Sequence, residues 1–327
     1  FIIARPPLYF QKKMRYNIAD WRGIILTSLP ESCHLCPRAC GADRRRTRGA
    51  CGAGAEIEAA RASLHLWEEP VISGEKGSGT VFFSHCSLGC VFCQNRAISR
   101  REAAGRPISL ESLAATFLSL EKKGASNINL VTGAHYVPQI IHSLDIARAE
   151  GLTIPVVYNS SGYECAETLH MLEGYVDIYL PDYKYYSSYY AALYSHAEDY
   201  RDFAVPAIDE MVRQTGAPQF DEHGMLTRGT VVRHLMLPGL AGDTSQVLRD
   251  IAARWSSHVL VSLMRQYTPF DMGAYSELDR TITAAEYETA CEEFRELGLG
   301  GFFQQDESIG ESFIPAFDGS GLEETEK

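Results

Sequence analysis

From residue 80 onward, short apolar runs rich in β-branched residues alternate with longer amphipathic stretches, and this alternation constrains the fold more than any other feature of the chain. Buried parallel strands read as near-continuous apolar runs, and each needs a crossover, usually a helix, to reach the next. Strands are expected at Thr80–Ser84, Asn127–Thr132, Pro155–Asn159, Val176–Leu180, Thr230–Leu237 and Val259–Met264. Helices are expected at Ser109–Lys123, Val137–Glu150, Glu164–Leu172, His196–Gln214, Thr244–Trp255 and Thr283–Leu297, with Ser109 and Thr283 as N-caps and Gly298 as a stop. Six strands so spaced fit an α/β chain that forms a partial barrel. In barrels of this kind the chemistry sits at the carboxyl ends of the strands.

Directly after the first of these strands comes Ser84-His85-Cys86-Ser87-Leu88-Gly89-Cys90-Val91-Phe92-Cys93-Gln94-Asn95, a C-x3-C-x2-C spacing. Three thiolates hold three irons of a 4Fe-4S cluster and leave the fourth iron open, whereas an electron-transfer cluster is normally held by four. An open position is what separates a catalytic metal centre from a structural one. A zinc site that borrows a ligand from another cysteine remains the alternative at this level of reading. Gln94 and Asn95 are placed to hydrogen-bond sulfurs, or Asn95 to cap the next turn.

The spacing, with an aromatic residue before the third cysteine, resembles the radical S-adenosylmethionine superfamily. The resemblance implies a partial (β/α)6 TIM-like barrel. It also implies that Cys86, Cys90 and Cys93 hold a 4Fe-4S cluster whose open iron chelates S-adenosylmethionine. Reductive cleavage then gives a 5'-deoxyadenosyl radical that abstracts hydrogen. Later segments resemble pyruvate formate-lyase activating enzymes, in particular a subgroup in which a four-cysteine segment precedes the barrel. Thr132 and Gly133 stand where many members of the superfamily carry Gly-Gly-Glu; the acid is replaced by Ala134, leaving backbone carbonyls and His135 as contacts. Asn159 and Ser161 fall on the run that reads Asp-Thr-Asn-Gly in the activating enzymes, Asp182 and Lys184 on their Asp-x-Lys, and Arg233 on their Arg-Tyr-Val-x-x-Pro-Gly strand. Lys184 is thereby expected on the methionine carboxylate, and Met264 with Tyr267 beside the adenine. Read without the resemblance, the same residues are a turn before a helix, an exposed i, i+2 ion pair and core methionine. His234 alternates away from Arg233 and reads as a packing residue.

The lead segment carries Cys33, Cys36, Cys40 and Cys51, four thiols with Pro and Gly between them, which fit a closed site for an auxiliary iron-sulfur cluster or zinc. Within it, Arg44, Arg45, Arg46 and Arg48 read as a solvated loop face. Cys165 and Cys291 read as buried bystanders in helices. Six tyrosines between Tyr183 and Tyr194 read as a packed helix, or as a surface that docks a peptide.

Net charge of −12 disfavours broad nucleic-acid binding, and no long uninterrupted apolar run marks a membrane span. Nine cysteines without a recognisable secretory signal point to a reducing, cytoplasmic setting in which thiols serve metals. The expected divisions are 1–13 as sequence upstream of a start at Met14, 14–79 as the four-cysteine segment, 80–317 as the barrel and 318–327 as a disordered acidic tail. The activity implied is hydrogen abstraction from a glycyl site of a protein or peptide, with flavodoxin or ferredoxin as electron donor. Two alternatives stand beside it: radical chemistry on a small molecule, and a non-enzymatic iron-sulfur or zinc protein.

Overall fold

The computed structural model describes residues 31–100, 102, 105–270, 272–303 and 315–324. Met14, the stretch before it and residues 325–327 of the expected tail lie outside the described residues. The chain enters the sheet at β1 (Ile57–His65), and the short α1 (Pro70–Ser73) leads to β2 (Ser78–Phe83). After α2 (Arg96–Ser99) and β3 (Arg106–Ile108) come the pairs α3 (Leu110–Lys122) and β4 (Ile128–Val131), α4 (Val137–Ala149) and β5 (Val156–Ser160), and α5 (Ala166–Met171) and β6 (Ile178–Pro181). α6 (Ser188–Ser195), α7 (Tyr200–Thr215) and β7 (Gln219–Phe220) precede β8 (Leu226–Leu235); α8 (Ala241–Arg254) leads to β9 (Leu260–Met264), and α9 (Ala284–Glu296) to β10 (Gly301–Phe303).

The six expected strands are β2, β4, β5, β6, β8 and β9, and they lie side by side in that order, all parallel; β10 adds a further parallel strand beside β9. On the other side β1 pairs antiparallel with β2, and β3 with β1. The strand path therefore ends at β10 and β3 without closing, which makes the barrel partial. Because β1 is part of this sheet, the expected boundary at residue 80 does not separate the lead segment from the barrel.

Side chains of each strand alternate between two environments. Ile128, Leu130, Tyr158 and Tyr179 face outward onto Leu113 and Phe117 of α3, Ile140 and Leu144 of α4 and Met211 of α7. Val157, Ile178, Leu180 and Val231 face inward, where Ile72 of α1 packs against them and fills the amino end of the barrel. The expected caps form. Ser109 Oγ accepts from Ser112 N at 3.0 Å, and Thr283 makes a reciprocal capping box with Glu286. The helix expected over His196–Gln214 is instead two: His196 takes the left-handed conformation (φ +52) that ends α6, and α7 starts at Tyr200. Residues 318–324, read from composition as tail, run along β1: Ala62 N donates to Ser320 O, Gly319 N to Ala60 O, and Leu322 is buried. No helix among the described residues is long and apolar enough to cross a membrane.

Candidate active site

The alternation that seats Val157, Leu180 and Val231 inside the barrel decides what stands two residues further along each strand. Those positions are Asn159, Asp182 and Arg233, and all three line a cavity of about 910 Å³. Arg233 Nε donates to Asp182 Oδ1 at 2.9 Å and its Nη2 to Asn159 Oδ1 at 2.7 Å; Lys184 Nζ donates to the other Asp182 oxygen at 2.5 Å. Burial by itself would raise the Asp182 carboxyl, but the charges of Arg233 and Lys184 outweigh it and hold the group below the ordinary carboxylate range. Burial likewise pushes Lys184 down, and Asp182 together with the Cys90 sulfur brings it above its usual value. Gly162 permits the close packing behind this network: a Cβ there would meet Asp182 O at 2.1 Å, and its φ is +76.

Two acids missed at the level of sequence complete the cavity. Glu68 and Glu69, between β1 and α1, are carried into the barrel by the α1 plug, with Glu68 Oε2 3.7 Å from Arg233 Nη1. Glu69 Oε2 is buried without a hydrogen-bond partner. Burial pushes both carboxyls up, Glu69 to about 7, against the opposing pull of Arg233. An apolar-to-acid step just before a Pro-led turn was the available signal, but without the fold it reads as a surface loop.

Cys86, Cys90 and Cys93 are free thiols on the loop after β2 and line the same cavity. The loop turns at His85 (φ +77), whose Nε2 lies 2.8 Å from Glu58 Oε2, and is pinned further on where Val91 N donates to Tyr194 O at 2.9 Å. Burial, then the neighbouring sulfurs Cys90 and Cys93, push the Cys86 thiol up to about 12. The sulfur contact expected of Gln94 or Asn95 is made by another residue. Ser195 Oγ donates to Cys90 Sγ at 2.9 Å, while Gln94 Nε2 goes to Gln266 O and Asn95 precedes α2 without a side-chain cap.

Among the other expected contacts, Thr132, Ser161 and Met264 line the cavity. Thr132 holds φ +61, which is uncommon for a β-branched residue and places backbone strain at the cavity edge. Gly133 is not among the lining residues; a Cβ there would meet Ile140 in the core at 2.7 Å. Tyr267 is buried in the core with its hydroxyl on Leu278 O, so it does not flank the cavity. His135 and His234 are structural. Burial pushes them down to about 3 and about 4, with His135 Nε2 on Ser84 O and His234 between Tyr183 O and Thr244 Oγ1.

Cys33, Cys36, Cys40 and Cys51 lie together outside the cavity: Cys36 senses Cys51 and Cys33, and a Cβ on Gly49 would touch both Cys51 Sγ (3.4 Å) and Cys40 Sγ (3.6 Å). Cys165 stands at the start of α5 rather than inside it, close enough to Cys36 that their charges interact. Cys291 is buried in α9, as expected. Arg44 corrects the reading of a solvated arginine face, because it is buried and donates to Gly54 O and His135 O, whereas Arg45 and Arg46 do face solvent beside Asp43. Of the clustered tyrosines, Tyr183, Tyr185 and Tyr194 are core, and Tyr186 and Tyr189 are exposed.

Among the described residues no group of three or more Cys, His, Asp or Glu is placed to hold a metal ion as it stands. A cluster with one iron per thiolate spaces its ligands more widely than a single ion does. Three free thiols around one cavity, beside the cation Lys184, suit such a cluster better than a lone zinc.

No model of a known protein family matches the chain. It is similar to an uncharacterized protein of Methanocaldococcus jannaschii, 28% identical over 282 residues that cover 84% of this chain and 78% of that protein. Among solved structures it is similar to a radical SAM methyltransferase from Sphaerobacter thermophilus, with 14% identity, 74% of this chain and 70% of that one covered, and a TM-score of 0.49. It is also similar to methylornithine synthase (14% identity, 72% of each chain, TM-score 0.45) and to a domain of pyruvate-formate lyase-activating enzyme from Bacteroides vulgatus (11% identity, 52% of this chain, 92% of that one, TM-score 0.38).

Proposed function

We propose that this chain is a radical S-adenosylmethionine enzyme. One observation carries the reading: three free thiols spaced C-x3-C-x2-C line the same cavity as a half-buried Asp182–Lys184–Arg233 network at the carboxyl ends of parallel strands. Cys86, Cys90 and Cys93 would hold a 4Fe-4S cluster, which when bound supplies the electron that cleaves S-adenosylmethionine to a 5'-deoxyadenosyl radical for hydrogen abstraction. The chain's own residues bind and orient. Lys184 offers Nζ donors to a carboxylate, with Asp182 keeping it charged. Asn159, Ser161 and the strained Thr132 offer neutral hydrogen-bonding groups to the ribose and ammonium, and Met264 an apolar, polarizable face.

The target we propose is a glycyl site of a protein or peptide, with a flavodoxin or ferredoxin as electron donor. The open side of the barrel supports a large substrate, because Trp67, Leu66 and Phe303 are exposed at the cavity rim. A small-molecule substrate is the second reading, favoured by Glu68 and Glu69, which the cosubstrate contacts above leave unused. We assign Cys33, Cys36, Cys40 and Cys51 to an auxiliary iron-sulfur cluster or zinc. The test is anaerobic reconstitution with iron and sulfide, reduction, addition of S-adenosylmethionine and assay of 5'-deoxyadenosine, with Cys90→Ala as control. Product from the native chain alone supports the reading, and none from protein with a reduced 4Fe-4S cluster counts against it.

A further inference from the structure

Arg38 sits in the middle of the Cys36-Pro37-Arg38-Ala39-Cys40 loop, yet its side chain leaves that segment. Nε donates to Ser87 O at 2.8 Å, Nη1 to His196 O at 2.6 Å and Nη2 to Ser195 O at 3.3 Å, while the guanidinium lies 5.2 Å from the Tyr163 ring centroid. Ser87 lies in the loop that carries Cys86 and Cys90. Ser195 ends α6, and its hydroxyl is the donor to Cys90 Sγ; Tyr185 Oη, 2.7 Å from that hydroxyl, orients it. One guanidinium from the four-cysteine segment thus grips both the cavity loop and the helix end that hydrogen-bonds one of its sulfurs. Three nitrogens of a rigid planar fork each have their own carbonyl, an arrangement that the single ammonium of lysine cannot reproduce.

We propose that Arg38 is a positioning residue that couples the two cysteine centres. Metal held by Cys33, Cys36, Cys40 and Cys51 fixes the loop from which Arg38 reaches, and Arg38 in turn fixes the hydrogen bond from Ser195 to Cys90. The inference rests on the proposed cluster at Cys86, Cys90 and Cys93, and unmodified protein tests that reading first. Reconstituted and reduced, it must show the electron paramagnetic resonance signal of a 4Fe-4S cluster that Cys90→Ala loses. A protein lacking that signal overturns the reading, and the coupling with it.

With the signal present, its line shape and midpoint potential are compared in Ser195→Ala, Arg38→Gln, Cys36→Ser and the double variant Arg38→Gln/Cys36→Ser, alongside iron and zinc content. A donor on a cluster sulfur stabilises the more negative reduced state and raises the potential. Ser195→Ala and Arg38→Gln therefore lower it with the cavity cluster's iron retained. Cys36→Ser lowers it in the same direction, and the double variant shifts no further than the larger single, because both changes cut one chain of contacts. An unchanged signal and potential in Arg38→Gln, or single shifts that add in the double, overturns the proposal. Should Arg38→Gln fail to fold, Arg38→Lys decides on the same readout: lost fork geometry lowers the potential, and a native potential shows that charge alone suffices and overturns the coupling.

Discussion

The two sets of cysteines are neighbours in the fold and differ in what they face. Cys86, Cys90 and Cys93 open onto the barrel cavity, where burial raises the Cys90 thiol and the Lys184 charge offsets part of that rise. Cys33 and Cys36 are as buried as Cys90, but none of their set lines the cavity, and after burial and the neighbouring sulfurs Glu164 pushes Cys36 further up. Glu164 itself is raised to about 8 by burial. The lead segment is knitted to the barrel through Arg38, through Arg44 on His135 O and through Thr168 Oγ1 on Leu35 O at 2.9 Å. One set thus has room and cationic charge for a reacting ligand; the other has four sulfurs outside the cavity, two of them buried, Cys51 half-buried and Cys40 exposed. Under the function proposed above, the first set would serve a catalytic centre and the second a structural one.

The sharpest way to break the comparison is to remove one thiol from each side. Cys90→Ala is expected to reduce 5'-deoxyadenosine formation to background, because one iron loses its anchor. Cys36→Ala should retain a measurable fraction of product while lowering the thermal midpoint. Chromatographic assay of the product under anaerobic reduction checks both, and equal loss in the two variants would end the division into an open and a closed site.

Charge is the second axis of the difference. Asp182 compensates two half-buried cations, so Asp182→Ala leaves Lys184 without its acid and Arg233 with Glu68 alone, and should destabilise the fold by about 2–3 kcal/mol in chemical denaturation. Glu164→Gln, beside the other set, removes an acid already pushed toward its neutral form and should cost under about 1 kcal/mol at neutral pH. Comparable losses in the two would show that the cavity network is not the more strongly charged environment.

Glu69 gives a smaller effect with a definite sign. Its carboxyl in the folded chain is raised from the ordinary 4.5 to about 7, so the native state keeps a proton that the unfolded chain releases. Stability from this group is fully present below the ordinary value and is lost as pH rises through the folded one, by up to about 3 kcal/mol. Denaturation at pH 5 and pH 8 should show a downward slope that Glu69→Gln flattens. An undiminished slope in the variant would assign it to another carboxyl raised by burial, Glu68 or Glu164.

Much of this contrast was legible before the fold was known. Apolar runs marked all six barrel strands, since parallel strands buried on both faces leave little ambiguity of period; alternation put Asp182 and Lys184 at the barrel mouth, and the family resemblance added Asn159 and Arg233. Ser109 and Thr283 announced their helices because a hydroxyl ahead of an amphipathic run has one common use. The contacts that came from elsewhere in the chain were not legible. Ser195 reaches Cys90 across 105 positions, Glu68 and Glu69 enter the barrel only because Ile72 plugs it, and Arg38 looks like a spacer until its carbonyl partners are in place. Gly133 and Tyr267 lie outside the cavity lining, because a residue's position beside a motif does not say which side of the strand end it faces.

The finest distinction between the two regions lies in the backbone. Each holds a non-glycine residue in the left-handed region, Ala39 at φ +38 between Cys36 and Cys40, and Thr132 at φ +61 on the cavity edge. A side chain in that region costs roughly 1–2 kcal/mol, and glycine relieves it while adding about 0.5–1 kcal/mol of entropy to the unfolded chain. Ala39→Gly and Thr132→Gly should each therefore stabilise by about 1 kcal/mol or less in denaturant titrations. The two part company on ligand. Ala39→Gly should leave S-adenosylmethionine affinity unchanged in equilibrium binding to the reconstituted protein, since the loop keeps its hydrogen bonds. Thr132→Gly should weaken it several-fold, because strain held at a cavity edge fixes the direction in which that residue presents its carbonyl and hydroxyl. Equal affinity in both variants would make the Thr132 conformation a feature of the turn alone and would remove backbone strain from what separates the open site from the closed one.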